Sequence, residues 1–151
     1  MNDIKWKKIE AWFSMAKDDL EGAEADFQGG RFPSSVFHAQ QCCEKIIKGI
    51  LLYFGIEAGF THFPVELLRK EAFKQELTDE MRKNLLEIIK YSRDLEEQKA
   101  MPRYGWETVE KIITPREIYD AEKAKSLLEN ARYVFRLANN IIGGGINDVD
   151  T

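Results

Sequence analysis

The sequence predicts an all-α protein, an up-and-down bundle of about five helices, of which four are long and one is short. Nearly every apolar run recurs at steps of three and four residues, the period of a helix with one buried face. Glycine and proline stand between these runs, where helices are expected to end and begin. No stretch shows a convincing strand pattern, and only residues 108–113 could form short extended structure.

The length of the chain sets the expected number of domains. A chain of 151 residues is typical of one domain that buries a sizeable core. We assign residues 1–142 to this helical domain. Residues 143–151, which begin with three glycines, are expected to form a disordered C-terminal tail.

The first helix is predicted for residues 2–27. One of its faces is rich in lysine and acidic residues, and the opposite face is an apolar stripe. Gln28, Gly29 and Gly30 form a turn that ends the helix. The stripe consists of Ile9, Phe13, Ala16, Leu20, Ala23 and Phe27.

The second predicted helix, residues 32–54, is the one around which the bundle is organised. Pro33 falls in its first turn, where a missing N–H costs nothing, and Gly55 follows its end. Its C-terminal half is so apolar that other helices must surround it. On its polar face Glu44 precedes Lys48 by four residues, the favourable order for an ion pair. The apolar stripe consists of Val36, Ala39, Cys43, Ile46, Ile50 and Phe54.

Three further helices complete the predicted bundle. A short helix, VELLRKEAF, follows Pro64, and a fourth begins after the capping residue Thr78 and runs to about residue 98. Residues 99–115, KAMPRYGWETVEKIITP, show no sustained period and are expected to form a long loop, a kind of segment that often carries function. The fifth helix is predicted from residue 115 or 116 to residue 142. Its inward positions are Ala121, Ala124, Leu128, Ala131, Phe135 and Ala138.

Composition and charge narrow the class of protein. Hydrophobic residues make up 44% of the chain and charged residues 32%, which is typical of a globular domain. The net charge of -4 argues against a protein that coats nucleic acid through bulk positive charge. No apolar run approaches the roughly 20 residues that cross a bilayer. The N-terminus lacks the apolar region of a signal peptide, so we expect a cytoplasmic protein without a membrane span.

Cysteine and histidine usage gives no sign of a metal site. Cys42 and Cys43 are adjacent on the second helix and point in different directions, so reduced thiols in the core are expected. Together with His38 and His62 they lack the spacing of zinc ligands. The sequence contains no glycine-rich phosphate loop and no Glu-x-x-His pair of the di-iron type. We therefore expect no cofactor.

The long loop carries the first candidate site. Arg103 stands beside Tyr104, and Trp106 follows two residues later. A guanidinium among aromatic rings suits phosphate and stacked bases, because it offers a bidentate charged fork and the rings offer π-faces. The structural alternative is that Arg103 pairs with a carboxylate on a helix while the two rings pack the loop against the bundle.

The polar face of the second helix is the second candidate site. His38, Gln41, Lys45 and Lys48 are three or four residues apart and could line one groove. The alternative is a solvated face with ordinary ion pairs. His62, in front of the third helix, is a third candidate, either as a capping residue of that helix or as a contact of the site.

Two segments in the first part of the chain resemble the HEPN domain, the helical "higher eukaryotes and prokaryotes nucleotide-binding" family. The more specific is FHAQQCCEKIIKGILLYFGI, residues 37–56, which is similar to the family pattern A-x-Q-Q-A-A-E-K-x-x-K-A. Upstream of it, AKDDLEGAEADFQGGRF, residues 16–32, is similar to the first helix of the family. The whole resemblance spans about residues 15–142.

Two further segments follow in the order of the family. Thr61-His62, with two leucines after it, stands where members often carry T-H-x-L-x-x-L-L. Arg103-Tyr104 precedes the last helix, where many members carry R-Y-P, and Gly105 replaces the proline. This replacement predicts a looser loop than in those members.

The resemblance implies a bundle of about five helices that forms a homodimer. Many members bind a minimal nucleotidyltransferase and form toxin–antitoxin pairs with it. Catalytic members are metal-independent ribonucleases with an R-x4–6-H motif in the C-terminal part of the domain. The arginine of that motif stabilises the phosphate, and the histidine acts as acid or base on the 2′-OH.

This sequence lacks that motif at its expected place. Residues 108–110, Thr-Val-Glu, stand where a histidine should follow Arg103. Arg31 and His38 match the spacing formally, but they lie at the start of the second helix, where the family does not keep its catalytic pair. We interpret this match as chance.

Three functions are compatible with these residues, in order of preference. The first is a non-catalytic HEPN subunit that dimerises and binds a nucleotide, RNA or a nucleotidyltransferase. The second is a metal-independent ribonuclease that combines Arg103 with a displaced base, His62 or His38. The third is a helical adaptor without a small ligand. The ligand contacts expected for the first function are Arg103, Tyr104, Gln41, Lys45 and Lys48.

Overall fold

Four long helices form the body of the computed structural model, which describes residues 2–61 and 64–143. The two described parts of the chain are helical throughout, apart from one small hairpin and the connecting turns, and this confirms the all-α prediction. The elements are α1 (Asp3–Gln28), α2 (Phe32–Tyr53), α3 (Pro64–Glu71), a 3-10 turn (Ala72–Lys74), α4 (Asp79–Glu96), α5 (Met101–Tyr104), β1 (Trp106–Glu107), β2 (Ile112–Ile113), α6 (Pro115–Ile118) and α7 (Ala121–Ile141).

Helix α2 lies at the centre of the bundle. It packs along α1 and also contacts α3, α4, α5 and α7, while α7 packs against both α2 and α4. Its C-terminal half is buried in several directions, since Ile46, Ile47, Ile50 and Leu51 are all inaccessible to solvent. The prediction that other helices surround α2 is confirmed.

A glycine allows α1 and α2 to approach each other closely. A Cβ atom at Gly49 would lie 2.7 Å from Cε2 of Phe13, which is closer than real side chains come. Phe13 is fully buried and meets the ring of Phe135 on α7 edge to face, with 6.0 Å between the ring centroids. Helices α1, α2 and α7 therefore meet at this aromatic pair.

Short polar side chains cap the N-termini of α1 and α4. The side chain of Asn2 accepts a hydrogen bond from the backbone N–H of Lys5 at 2.8 Å. Thr78, the predicted cap of α4, accepts one from the backbone N–H of Met81 at 3.1 Å. These bonds satisfy N–H groups that have no partner within their own helix.

The predicted start of the fifth helix, residue 115 or 116, is wrong. One turn of helix, α6, forms at Pro115–Ile118, and the chain is then extended at Tyr119 before α7 begins at Ala121. The interruption has a tertiary cause, because the Tyr119 ring is buried and its hydroxyl donates a hydrogen bond to Gln98 Oε1 at 2.9 Å. Asp120 then caps α7 by accepting from the Lys123 N–H at 2.8 Å.

The segment 99–115, predicted as a long loop, contains α5 and an antiparallel hairpin. Trp106 pairs with Ile113 and Glu107 with Ile112. The extended structure that the sequence allowed at 108–113 thus forms, but it begins two residues earlier. Most of the side chains of the hairpin face solvent, including the large apolar ones of Trp106, Val109 and Ile112.

The thiols are buried in the core, as expected. Cys42 and Cys43 are both free. Burial raises the pKa of both thiols, that of Cys43 to about 12, so they stay protonated at neutral pH. In residues 2–61 and 64–143 no helix is long and apolar enough to cross a membrane. Apart from Gly143, the predicted disordered tail lies outside the described residues.

Candidate functional site

A groove of about 550 Å³ lies between α2 and the junction of α4 with α5. We call it the α2–α5 groove. The aromatic ring of Phe37 forms part of its wall. Its polar lining consists of Gln40, Gln41, Glu44, Glu96, Lys99 and Arg103.

Arg103 reaches the groove from the short helix α5. Its guanidinium lies over the ring of Phe37 at 5.1 Å and over that of Tyr104 at 5.4 Å. Arg103 and Tyr104 are both exposed. Within residues 2–61 and 64–143 no carboxylate lies at ion-pair distance from Arg103, so the structural alternative considered for it does not apply to this part of the chain. The guanidinium is held by rings and open to a ligand.

Backbone geometry around α5 fixes the place of Arg103. Pro102 is buried and starts the helical turn, and Gly105 ends it with φ 71° and ψ -153°, a conformation open essentially to glycine alone. A Cβ at Gly105 would lie 2.0 Å from the carbonyl oxygen of Ile113. The glycine that replaces the family's proline is therefore required by the hairpin packed against it.

Gln40 ties α2 to the end of α4. Its side-chain amide donates hydrogen bonds to the carbonyls of Leu95 and Lys99, both at 3.0 Å. Carbonyls at a helix end have no partner within the helix, so these bonds stabilise the turn that leads into α5. Sequence reasoning missed this role. The available signal was the Gln40-Gln41 pair on the polar face of α2.

Glu96 is the second groove residue that sequence reasoning missed. It is half-buried, and its Oε1 accepts a hydrogen bond from the backbone N–H of Val65 at 3.1 Å. Burial raises the pKa of Glu96 to about 7, with the nearby charges of Glu44 and Glu66 acting in the same direction. The bond from Val65 and the charge of Arg93 oppose this shift only in part.

Of the ligand contacts predicted on α2, the structure brings Gln41 into the same groove as Arg103. Lys48 instead pairs with Glu44 at 3.7 Å, which confirms the predicted ion pair. The Lys48 side chain is only 11% accessible, and its Nζ lies over the Trp12 ring at 5.4 Å. Lys48 therefore faces α1, and its ammonium group compensates the negative charge of Glu44.

Lys45 and His38, like Lys48, point towards α1. The Lys45 ammonium bonds to Asp19. The ring of His38 lies between two carboxylates of α1, with Nδ1 3.4 Å from Asp19 and Nε2 3.6 Å from Asp26. Residues 38 and 45 share a direction because they are seven apart, and residue 41 points about 50° away from it, into the groove. His38, Gln41, Lys45 and Lys48 thus do not line one groove.

Arg31 and His38, which match the R-x4–6-H spacing formally, both contact the carboxylate of Asp26. Arg31 Nε lies 3.0 Å from Asp26 Oδ1, and Ser34 donates to the other oxygen of the same side chain. Arg31 and His38 are both engaged in ion pairs with carboxylates of α1. His62 lies outside the described residues. No group of three or more possible metal ligands occurs in the described part of the chain.

Comparison with known proteins places these features in a family. The family model of the HEPN domain matches residues 9–141. A protein of Methanocaldococcus jannaschii named "Putative toxin MJ1304" is 30% identical over 140 residues, which are 93% of this chain and 90% of that protein.

Solved structures show the same fold. The archaeal HEPN homologue ST0689 has a TM-score of 0.60 and 26% identity, covering 90% of this chain and 96% of that one. An HEPN domain protein of Thermotoga maritima, TM0613, has a TM-score of 0.56 and 23% identity, covering 87% and 97%. The protein TT1696 of Thermus thermophilus has a TM-score of 0.60 and 18% identity, covering 89% and 98%; the last two similarities concern the fold alone.

Proposed function

This chain belongs to the HEPN domain family, and from that membership we propose that it is the HEPN subunit of a toxin–antitoxin-type module. In this proposal it binds the phosphate of a nucleotide or RNA in the α2–α5 groove. It forms a homodimer and works with a nucleotidyltransferase partner. The name of the archaeal relative, "Putative toxin MJ1304", supports the module, and the groove supports the ligand.

The observation that carries the ligand proposal is the setting of Arg103. Its guanidinium is exposed, stacked on Phe37 and Tyr104, and has no carboxylate partner within the described residues. An arginine held in this way keeps its fork of N–H donors for a phosphate, and the exposed Tyr104 ring beside it offers a face to the base of a neighbouring nucleotide in RNA. A site that contacts both a phosphate and a base suits a nucleotide or RNA as its ligand.

Binding is favoured over ribonuclease chemistry because Arg103 lacks the family's histidine. The sequence has none at the expected spacing after Arg103, and His38 is engaged by Asp19 and Asp26 of α1. The second function, a ribonuclease with a displaced base, would need a base from another place, and His62 is its remaining histidine candidate.

Exposed apolar side chains support a protein interface near Arg103. Tyr104, Trp106, Val109 and Ile112 all present large apolar groups to solvent on one short stretch of chain. Such clusters are typical of surfaces that contact another protein chain. A second copy of this chain is the occupant that we propose, and light scattering of the purified protein would contradict the homodimer if it gave the mass of a monomer.

Replacement of Arg103 by alanine should weaken binding of a fluorescein-labelled single-stranded RNA by about ten-fold or more, because charged hydrogen bonds of roughly 1.5–3 kcal/mol are lost. Fluorescence anisotropy measures the affinity. The matched control is Arg82→Ala, since Arg82 is also exposed and stacked on a ring, that of Phe73 at 5.8 Å, but lies on α4 away from the groove lining.

Equal affinity of the wild-type and Arg103→Ala proteins would contradict the ligand proposal, as would the absence of any binding. The same samples, kept without metal and run on a gel, reveal cleavage of the RNA. Cleavage that disappears in Arg103→Ala would replace the binding proposal by the ribonuclease alternative.

A further inference from the structure

The α2–α5 groove has two chemically different ends. At one end the Arg103 guanidinium stacks on Phe37, and at the other end lie the carboxyl groups of Glu44 and Glu96. Phe37 and Glu44 are seven residues apart on α2, which corresponds to about 10 Å along the helix. A ligand that fills the groove therefore carries an anionic group at one end and hydrogen-bond donors at the other, about one nucleotide in length.

Glu96 is the carboxyl group at the acidic end that is open to a ligand. The charge of Glu44 is already compensated by Lys48, at 3.7 Å. No cation lies at ion-pair distance from Glu96 in residues 2–61 and 64–143. The hydrogen bond from the backbone of Val65 fixes its Oε1 and thereby holds the carboxyl group in one orientation. A fixed carboxylate accepts hydrogen bonds and cannot donate them.

We propose that the groove binds a guanine nucleotide, with the phosphate at Arg103 and the Watson–Crick edge of the base at Glu96. This inference rests on the proposed function and adds the identity of the base. Guanine presents two adjacent donors, N1–H and the 2-amino group, which match the two oxygens of a carboxylate. Adenine offers one donor beside an acceptor, so it leaves one carboxylate oxygen facing a lone pair.

The protonation of Glu96 makes this selectivity depend on pH. Burial raises the pKa of Glu96 to about 7. The charged groups that face it are Glu44 on α2, Glu66 on α3 and Arg93 on α4, while Lys99 and Arg103 line the same groove. Above pH 7 the group is a carboxylate and accepts twice. Below pH 7 it becomes an acid that donates once, so the preference for guanine over adenine should be full at pH 8 and lost towards pH 6.

Calorimetric titration with three 5′-monophosphates tests the proposal on the full chain. At pH 8 the wild type should bind guanosine monophosphate about ten-fold more tightly than adenosine monophosphate, with inosine monophosphate, which lacks the 2-amino group, between them. Glu96→Gln should abolish the preference, because an amide has only one acceptor. The matched control is Glu97→Gln, since Glu97 is exposed and lines a separate depression between α4 and α7.

The outcomes separate the two proposals. Equal affinity for the three nucleotides, or a preference that survives Glu96→Gln, overturns guanine recognition while leaving the phosphate site at Arg103 in place. Failure of all three to bind overturns both. If Glu96→Gln does not fold, the pH dependence of the wild-type protein provides the test. A guanine preference that is the same at pH 6 and pH 8 overturns the assignment to Glu96.

Discussion

Replacement of Phe13 by alanine should lower the free energy of unfolding by about 4 kcal/mol, the range measured for large buried rings. Phe13 is fully buried, meets the ring of Phe135 edge to face, and fills the space that Gly49 leaves between α1 and α2. Its loss removes apolar burial and leaves a cavity where three helices meet. Urea denaturation followed by circular dichroism measures the change.

The control for this substitution lies two residues away on the same helix. Met15 is 40% exposed, so Met15→Ala should change the free energy of unfolding by less than about 0.5 kcal/mol. A cost below about 1.5 kcal/mol for Phe13→Ala would mean that α1 does not pack on α2 and α7 as the structure shows.

Gly105→Ala should open the hairpin that follows Arg103. The backbone at Gly105 has φ 71° and ψ -153°, and the new Cβ would lie 2.0 Å from the carbonyl oxygen of Ile113. Strain and steric overlap together should cost about 3 kcal/mol, which corresponds to roughly a hundred-fold faster amide hydrogen exchange in residues 105–114. Because α5 ends at this residue, the variant should also bind the labelled RNA more weakly.

A substitution at a second glycine, Gly59, serves as the control that separates the cost of backbone strain from the cost of steric overlap. Gly59 also has a positive φ, 62°, but no atom lies within 4 Å of the position of its Cβ. Gly59→Ala should cost only about 1 kcal/mol and leave exchange in residues 105–114 unchanged. Unchanged exchange in Gly105→Ala as well would contradict the close packing of Gly105 against the carbonyl of Ile113.

The long helices could be predicted because their signals are local. A period of three to four residues sets the buried face of α1, α2 and α7, and the hydroxyl of Thr78 marks the start of α4. The ion pair between Glu44 and Lys48 also follows from spacing within one helix. In each case the deciding residues lie within a turn or two of each other.

The features that were missed depend on residues far apart in the chain. The break before α7 requires Tyr119 to be buried and bonded to Gln98, 21 residues away. The raised pKa of Glu96 depends on burial beneath α3, and the role of Gln40 depends on carbonyls 55 and 59 residues downstream. No local pattern contains this information.

The site could be predicted only in part for the same reason. Side-chain chemistry indicates Arg103, Tyr104 and Gln41 as ligand contacts, and the fold places Arg103 and Gln41 in one groove. Lys45 and Lys48 have equally suitable chemistry, but α2 is packed on several sides, and both lysines pair with carboxylates, Lys45 with Asp19 of α1 and Lys48 with Glu44. A polar stripe on a central helix does not reveal which neighbouring helix each side chain will meet.

Mapping of amide chemical shifts by NMR tests most directly whether a nucleotide binds in the α2–α5 groove. The protein is titrated with guanosine 5′-monophosphate at pH 8. We predict that the largest saturable shifts occur in residues 37–44 of α2 and residues 96–103 at the α4–α5 junction. Shifts centred on Asp19 and Asp26 of α1, shifts confined to the depression between α4 and α7, or no saturable shifts would contradict the account.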